Sequence, residues 1–321
     1  MIRVLDRVFM PEAPAERLAV LRILVGLYGC IYLPIRITHL WSYAGVDPYQ
    51  FQPVGVVTVL PRPLLPAVVV TLVVLAVLFS FPFLLGFRYR ITAPIYAALL
   101  LWVLTYSNSF GQILHVDNLF CLHVIALALC PAADAYSLDA RRRRAAGAPP
   151  PEPSGRYGWG IRLMCVLCVF GYFLAAVAKA KNGGLEFVSA ENLRNYVAYD
   201  TVRKLELGSI TSPVGEALLP FPLVFAGLAY LSLALEWGAP LALFHRKLGI
   251  AWAVLIWGFH LGVLVLMAIS FTYPLTMVAF AAFFRVEKLA DWKAVRWLTR
   301  KLRRDKAADP PIEGLEEPSR G

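Results

Sequence analysis

The chain has 321 residues, of which 59% are hydrophobic and only 16% are charged. An ordinary soluble domain carries about 25% charged residues, and the mean hydropathy of +0.63 is correspondingly high. This composition excludes a soluble globular domain, a disordered chain and a fibrous protein. An all-α, polytopic transmembrane helical bundle is predicted, because helices satisfy their own backbone hydrogen bonds in lipid.

The formal net charge of +10 does not indicate nucleic-acid binding. The basic residues are concentrated in short segments between apolar runs, as the positive-inside rule describes. The five cysteines lie in apolar stretches and are predicted to be small packing residues rather than a disulfide framework. The expected location is therefore the cell membrane, where the chain contacts lipids and no nucleic acid.

Eight apolar runs are predicted to cross the membrane within residues 17–285, after an N-terminal interfacial segment over 1–16. The final run is too long for one span of about 20 residues, so a break is expected near Ser270 to Pro274. The predicted spans are 18–32, 64–87, 91–106, 119–130, 161–179, 222–244 and the two halves of 248–284.

The segments between the spans separate by charge. The arginine-, alanine- and proline-rich segment near 140–158 is predicted to be a flexible cytoplasmic linker. Residues 286–304 are predicted to form a basic amphipathic helix at the membrane interface, followed by a disordered tail over 305–321. With eight spans the basic segments share one side, so both termini are predicted to be cytoplasmic and the long loops 33–63 and 182–221 to face outward.

Ionisable residues inside spans are costly in lipid and mark functional sites by default. Lys179 ends the fifth span, Glu236 interrupts the sixth and His260 is central in the seventh. Each also has a structural alternative: extension to the headgroups for Lys179, an interhelical hydrogen bond for Glu236 and a satisfied core position for His260. Arg22, one turn inside the first span, is expected to extend to the nearby interface.

The depths of these residues can be estimated from the helical rise per residue. Above the inner ends of their spans, Lys179 lies ~27 Å, His260 ~18 Å and Glu236 ~12 Å. Glu236 and His260 are close enough in depth to pair, whereas a pair between Lys179 and Glu236 is not expected. His115, at the outer start of the fourth span, shares the depth of Lys179, so these two could face each other.

Sequence motifs for a metal or nucleotide site are weak. Cys165-Val166-Leu167-Cys168 matches CxxC, but it lies in the middle of a span and is interpreted as packing. His115 and His123 have no third ligand nearby, so no metal is predicted. The sequence contains no P-loop and no GxGxxG motif.

Several segments, in order along the chain, resemble the HTTM (horizontally transferred transmembrane) domain family. This family includes the membrane domain of vitamin K-dependent γ-glutamyl carboxylases and their bacterial relatives. The matching segments are LAVLRILVGL (18–27), LLGFRYRI (84–91), HVDNL followed by YSLD (115–139), GYFLAAVAK (171–179), LSLALEWGAPLALF (231–244) and FHLGVLVLMAISFTYPL (259–275).

The resemblance implies a role for one lysine. In the carboxylases a Tyr-Phe-x-Ala-x-x-x-Lys segment carries the lysine taken as the catalytic base, and this implies Lys179 as the base with Tyr172 as a supporting polar group. A lysine at an apolar boundary suits this role, since a dry environment makes the neutral amine accessible. The tryptophan usual a few residues after this lysine is replaced here by Leu185-Glu186-Phe187.

Further residues follow from the same resemblance. The family histidine before the fourth span falls at or beside His115, which is implied as a second catalytic residue. The family acid in the sixth span corresponds to Glu236, and the Phe-His of the seventh to Phe259 and His260. The implied cofactor is a reduced quinone similar to vitamin K hydroquinone, with O₂ and CO₂ as co-substrates, and the implied partner is a secreted or membrane protein or peptide.

Two functions of different classes follow. The first is hydroquinone-linked epoxidation and carboxylation, or another quinone-dependent activity, with a lysine base. The second is a non-catalytic membrane protein that binds or assembles partners through its outer loops. A transporter is a third interpretation, which no inverted repeat in the sequence supports.

Overall fold

The computed structural model describes residues 9–111, 113 and 115–291. The α-helices in these ranges are α1 (Ala15–Ile35), α2 (Ile37–Ser42), α3 (Pro66–Leu85), α4 (Tyr89–Ser107), α5 (Asn118–Ala128), α6 (Leu138–Ala145), α7 (Gly155–Gly183), α8 (Ala190–Glu206), α9 (Pro213–Leu218), α10 (Pro222–Trp237), α11 (Arg246–Met267) and α12 (Thr272–Leu275). The 3₁₀ helices are Tyr43–Gly45, Pro48–Gln50, Gly55–Val59, Gly184–Val188, Ala239–Leu243, Val278–Phe283 and Val286–Asp291. The predicted all-helical class is confirmed for the described residues.

The chain divides into two units, Met1–Phe284 and Arg285–Gly321. In the second unit the structure describes only the 3₁₀ helix Val286–Asp291. The remainder of the predicted amphipathic helix over 286–304, and the tail over 305–321, lie outside the described residues. The first eight residues of the predicted interfacial segment also lie outside them.

Five helices of the first unit are long and apolar enough to cross a membrane, namely α1, α3, α4, α7 and α11. Two shorter apolar helices, α5 and α10, accompany them. Helix α1 packs against α3, α5 and α7 and so occupies the centre of the bundle. At Gly26 an added Cβ would lie 2.9 Å from the Leu84 Cα, which shows how closely α1 and α3 approach.

The predicted sixth span over 222–244 is wrong at its C-terminal end. Helix α10 ends at Trp237, and Ala239–Leu243 continue as a 3₁₀ helix. The reason is Pro240, which cannot donate a backbone hydrogen bond and disfavours the α conformation of the residue before it. The change of helix type directly follows Glu236.

The predicted break in the final apolar run is confirmed, but the expected eighth spanning helix is not formed. Helix α11 ends where Ala268 adopts a left-handed conformation with φ of 50°. The following chain forms only the one-turn helix α12 and the 3₁₀ helix Val278–Phe283, with Tyr273 and Phe280 fully buried. Non-helical backbone at membrane depth is tolerated when protein surrounds it.

The loops contain more structure than the sequence predicts. Within the predicted linker, α6 forms because the Ser137 hydroxyl accepts a hydrogen bond from the Ala140 amide at the helix start. The predicted outer loop 182–221 contains α8 and α9. On α8, Asp200 forms ion pairs with Arg203 and Lys204 at 2.7 and 2.9 Å.

The prediction that Arg22 extends to the interface is wrong. Its side chain is completely buried, and its guanidinium donates to the carbonyls of Ala132 and Tyr136 at 2.9 and 2.6 Å. The turn that follows α5 brings these carbonyls beneath α1. Arg22 therefore provides hydrogen-bond donors to backbone carbonyls of an irregular segment inside the bundle, where water is not available to donate to them.

Candidate functional site

Lys179 and Glu236 form a close ion pair inside the bundle. The Lys179 ammonium donates to both carboxylate oxygens of Glu236, at 2.6 and 2.7 Å. The Glu236 side chain is 4% exposed and that of Lys179 is 25% exposed. An ion pair with so little access to water is stable only when both charges remain paired and hydrogen-bonded.

The prediction that Lys179 and Glu236 lie at different depths is therefore wrong. The depth estimate counted straight α-helical rise from Phe244, whereas the chain below Trp237 is a 3₁₀ helix with a longer rise of about 2.0 Å per residue. The flexible four-carbon chain of lysine covers further distance. Both effects reduce the difference in depth that the estimate gave.

An aromatic ring also contacts the lysine. The Nζ of Lys179 lies 4.9 Å from the centroid of the Phe187 ring, which belongs to the 3₁₀ helix Gly184–Val188 that directly follows α7. A cation next to a ring face is attracted by the electrons of the ring. Phe187, in the segment that stands where the related carboxylases usually have a tryptophan, thus provides an aromatic face to the ammonium.

Tyr172 and His260 form the second polar pair of the site. The Tyr172 hydroxyl and the Nε2 of His260 are 2.6 Å apart, and their rings meet nearly edge to face. Tyr172 and Lys179 lie seven residues apart on α7, about two turns, and so share one face of that helix. The expected pairing of His260 with Glu236 is replaced by this contact with Tyr172.

The second ring nitrogen of His260 lacks a partner in the protein. Its Nδ1 is buried and has no hydrogen-bond partner among the described residues. The His260 ring contacts Phe271, with centroids 5.1 Å apart, and lies 6.5 Å from Phe280. A buried acceptor or donor without a partner is costly, so the hydrogen bonding of the site is incomplete at this nitrogen.

His115 lies at the edge of the same cluster. Its side chain is exposed, and its ring centroid is 5.8 Å from that of Phe271. Phe271 therefore contacts both histidine rings. The expected face-to-face arrangement of His115 and Lys179 stays a prediction.

A buried hydrogen-bonded network beside the site was not predicted. The Nδ1 of His123 and the Tyr273 hydroxyl are 2.8 Å apart, and the Cys168 thiol donates to the Ala279 carbonyl at 3.0 Å. These contacts hold α12 and the 3₁₀ helix that follows it against α5 and α7. His123 stands out in the sequence as a polar residue within the fourth span, but nothing in the sequence identifies its partner.

The cysteines follow the packing interpretation. Cys165 and Cys168 are both buried and free. Among the described residues, no three histidine, cysteine or acidic side chains are arranged to hold a metal ion.

Comparison with known proteins identifies one family. The family model described as HTTM domain matches residues 9–292, nearly the whole chain. Searches of curated proteins and of solved structures returned no significant match.

Proposed function

The chain belongs to the HTTM family of membrane proteins, which is related to the carboxylase family. From this membership we propose that it catalyses a hydroquinone-linked oxidation or carboxylation. The observation that carries the proposal is the Lys179–Glu236 ion pair, 57 residues apart in sequence and nearly withdrawn from water. Ionisable groups at membrane depth are retained when function requires them. Lys179 is the proposed base and Glu236 its partner.

The chain has groups that fit a reduced quinone. The unpartnered Nδ1 of His260 could bond a phenolic hydroxyl, and the rings of Phe271 and Phe280 lie beside that histidine. His115, whose ring also contacts Phe271, is the second proposed contact. When bound, a reduced quinone supplies a weakly acidic hydroxyl and two reducing equivalents, which makes O₂ and CO₂ the proposed co-substrates.

Lys179 and Glu236 would receive the proton of that hydroxyl. Their shared proton would first move from the ammonium to the Glu236 carboxylate, and the neutral amine of Lys179 would then take up the hydroxyl proton and become an ammonium. The ammonium then remains next to the new negative charge and stabilises it, an effect that is large where water is excluded. Tyr172 fixes the His260 ring through Nε2, so that Nδ1 keeps its direction.

A carboxylation assay tests the proposal directly. Purified protein would be mixed with a reduced quinone, O₂, labelled CO₂ and a glutamate-containing peptide, and incorporation measured. Lys179→Ala should lower the rate by about 10²-fold or more, the usual contribution of a general base. Lys181→Ala is the matched control, since Lys181 is an exposed lysine two residues further along the same helix.

The possible results distinguish an error in the assignment of Lys179 as the base from an error in the proposed function. A wild-type rate retained in Lys179→Ala would remove the base assignment. No quinone oxidation and no incorporation by the wild type, across benzoquinones and naphthoquinones, would remove the proposed function. Tyr172→Phe should lower the rate less than Lys179→Ala, because it loses only the hydrogen bond that positions His260.

A second candidate function is a binding or assembly role for the outer segment. Helix α8 exposes apolar and aromatic side chains at three-residue spacing: Tyr196, Tyr199, Val202 and Leu205. Such a surface favours contact with a partner or a membrane surface. A protein that only binds would keep its cellular function in Lys179→Ala and lose it in Tyr199→Asp, whereas the enzyme would show the opposite pattern.

A further inference from the structure

A second polar site lies at the basic end of the bundle, away from Lys179. A cavity of about 480 Å³ is lined by Arg88, Arg90, Ile91, Asp139, Arg142 and Arg143. The arginines come from two segments that are distant in sequence, the start of α4 and the helix α6. Four arginines and a single acidic residue therefore line one cavity.

The two walls of this cavity are fastened together. The Asp139 carboxylate accepts from the backbone amides of Arg88 and Tyr89 at 2.9 and 2.8 Å, which caps the start of α4. The Asp139 amide in turn donates to the Gly86 carbonyl at 3.1 Å. The backbone at both walls is thus held in place without any ligand.

The positive charge of this cavity is not balanced by the protein. Both oxygens of Asp139 are occupied by backbone amides, and Asp134 is already shared by Arg143 and Arg156 at 3.1 and 3.4 Å. Within the described part of the chain, no carboxylate forms a salt bridge with Arg88, Arg90 or Arg142.

Contact with one aromatic ring, that of Phe87, helps to hold the side chains of two of these arginines in position. The guanidinium groups of Arg142 and Arg88 lie 4.7 and 5.8 Å from the Phe87 ring centroid. A guanidinium stacked on a ring keeps its N–H groups free at its edge. Planar guanidinium groups around one cavity suit the oxygens of a phosphate group, which they can bond in pairs.

The position of the cavity indicates where the phosphate comes from. Ile91, in its wall, is 62% exposed, and Leu85 at the end of α3 is 50% exposed. Both side chains belong to helices that are long and apolar enough to span a membrane, so the cavity opens beside the lipid-facing flank at the helix ends. We infer that this cavity binds the phosphate group of an anionic lipid whose acyl chains lie along α3 and α4.

The test compares matched charge removals in the full-length protein. The thermal midpoint in detergent would be followed during titration with phosphatidylglycerol, phosphatidylcholine or inorganic phosphate. Phosphatidylglycerol should stabilise the wild type, and Arg90→Gln/Arg142→Gln should weaken its apparent Kd by about tenfold or more, as expected for the loss of charged hydrogen bonds. Arg141→Gln/Arg144→Gln, which removes the same charge from exposed positions outside this cavity, should weaken it less than about threefold.

Three results would overturn the inference. Equal weakening by the two double variants would mean that only the diffuse positive field attracts lipid. Equal stabilisation by phosphatidylcholine would mean that the phosphate site is not selective. Stabilisation by inorganic phosphate alone would assign the cavity to a soluble anion. If the double variant does not fold, Arg142→Lys keeps the charge and should bind less tightly than the wild type, because it loses the planar fork.

Discussion

The strength of the Lys179–Glu236 contact can be measured with a double-mutant cycle. The variants are Lys179→Met, Glu236→Gln and the two combined. Each single variant leaves one charged group inside the bundle without its partner, while the combined variant leaves none. Replacing both members of a buried pair is often nearly neutral, whereas removing one is strongly destabilising.

The structure sets the size and the order of the effects. The ammonium makes two short hydrogen bonds to the carboxylate, and a hydrogen bond to a charged group contributes about 1.5–3 kcal/mol. Both bonds share one nitrogen and Lys179 is partly exposed, so we expect a coupling energy of about 2 kcal/mol, within the usual range for contacting residues. Lys179→Met should destabilise more than Glu236→Gln, because the carboxylate left behind is 4% exposed while the ammonium is 25% exposed.

The assay is equilibrium unfolding in detergent micelles for the four proteins of the cycle. The exposed pair Glu191–Arg194, at 2.7 Å on α8, is the matched control. Its coupling should be at most about 0.5 kcal/mol, as for other surface pairs one helical turn apart. A coupling for Lys179 and Glu236 as small as that of the control would refute the reasoning, as would a greater cost for Glu236→Gln than for Lys179→Met.

Three further predictions concern pH, topology and catalysis. Burial alone would raise the pKa of Asp200, but hydrogen bonds from Arg203 and Lys204, one turn further along α8, hold that pKa below its ordinary value. The stability that the ionised Asp200 contributes to α8 is present above the ordinary pKa and is lost as pH falls through the lowered pKa. Hydrogen exchange in α8 should therefore become faster below about pH 4 in the wild type and should not do so in Asp200→Asn. A membrane-impermeant maleimide should label Ser209→Cys in intact cells and Ala148→Cys only after permeabilisation; the reverse pattern would invert the proposed topology. Lys179→Arg should not restore quinone-dependent turnover, and full activity in that variant would show that Lys179 is not the base.

The long spans could be predicted because they depend on composition alone. The predicted span 161–179 lies entirely within α7, but the helix extends beyond it at both ends. Hydropathy marks the part of a helix that suits lipid. The helix itself begins after the Ser154 cap and ends at Gly183, before Gly184, whose φ of 52° favours glycine. The boundaries are therefore set by local backbone chemistry that the hydropathy pattern does not contain.

The partners within the site could not be predicted, although its members were. Lys179, Glu236 and His260 stand out as polar residues in apolar runs, and Tyr172 was implied by the family resemblance. Their pairing depends on how α10 ends and on which face of α11 meets α7, and both are consequences of three-dimensional packing. Residues 88 positions apart, such as Tyr172 and His260, come into contact only through that packing.

The pairing with Glu236 changes how Lys179 would lose its proton to act as a base. An isolated lysine in an apolar site must lose its proton to become reactive, and burial favours that loss. Lysine beside Glu236 instead shares its proton along two short bonds, so the pair can shift a proton internally while its net charge stays at zero. Arginine would keep the ion pair and its stability, but guanidinium cannot give up its proton in a protein. Retained stability together with lost turnover in Lys179→Arg is therefore the combination that distinguishes a proton-accepting pair from a structural one.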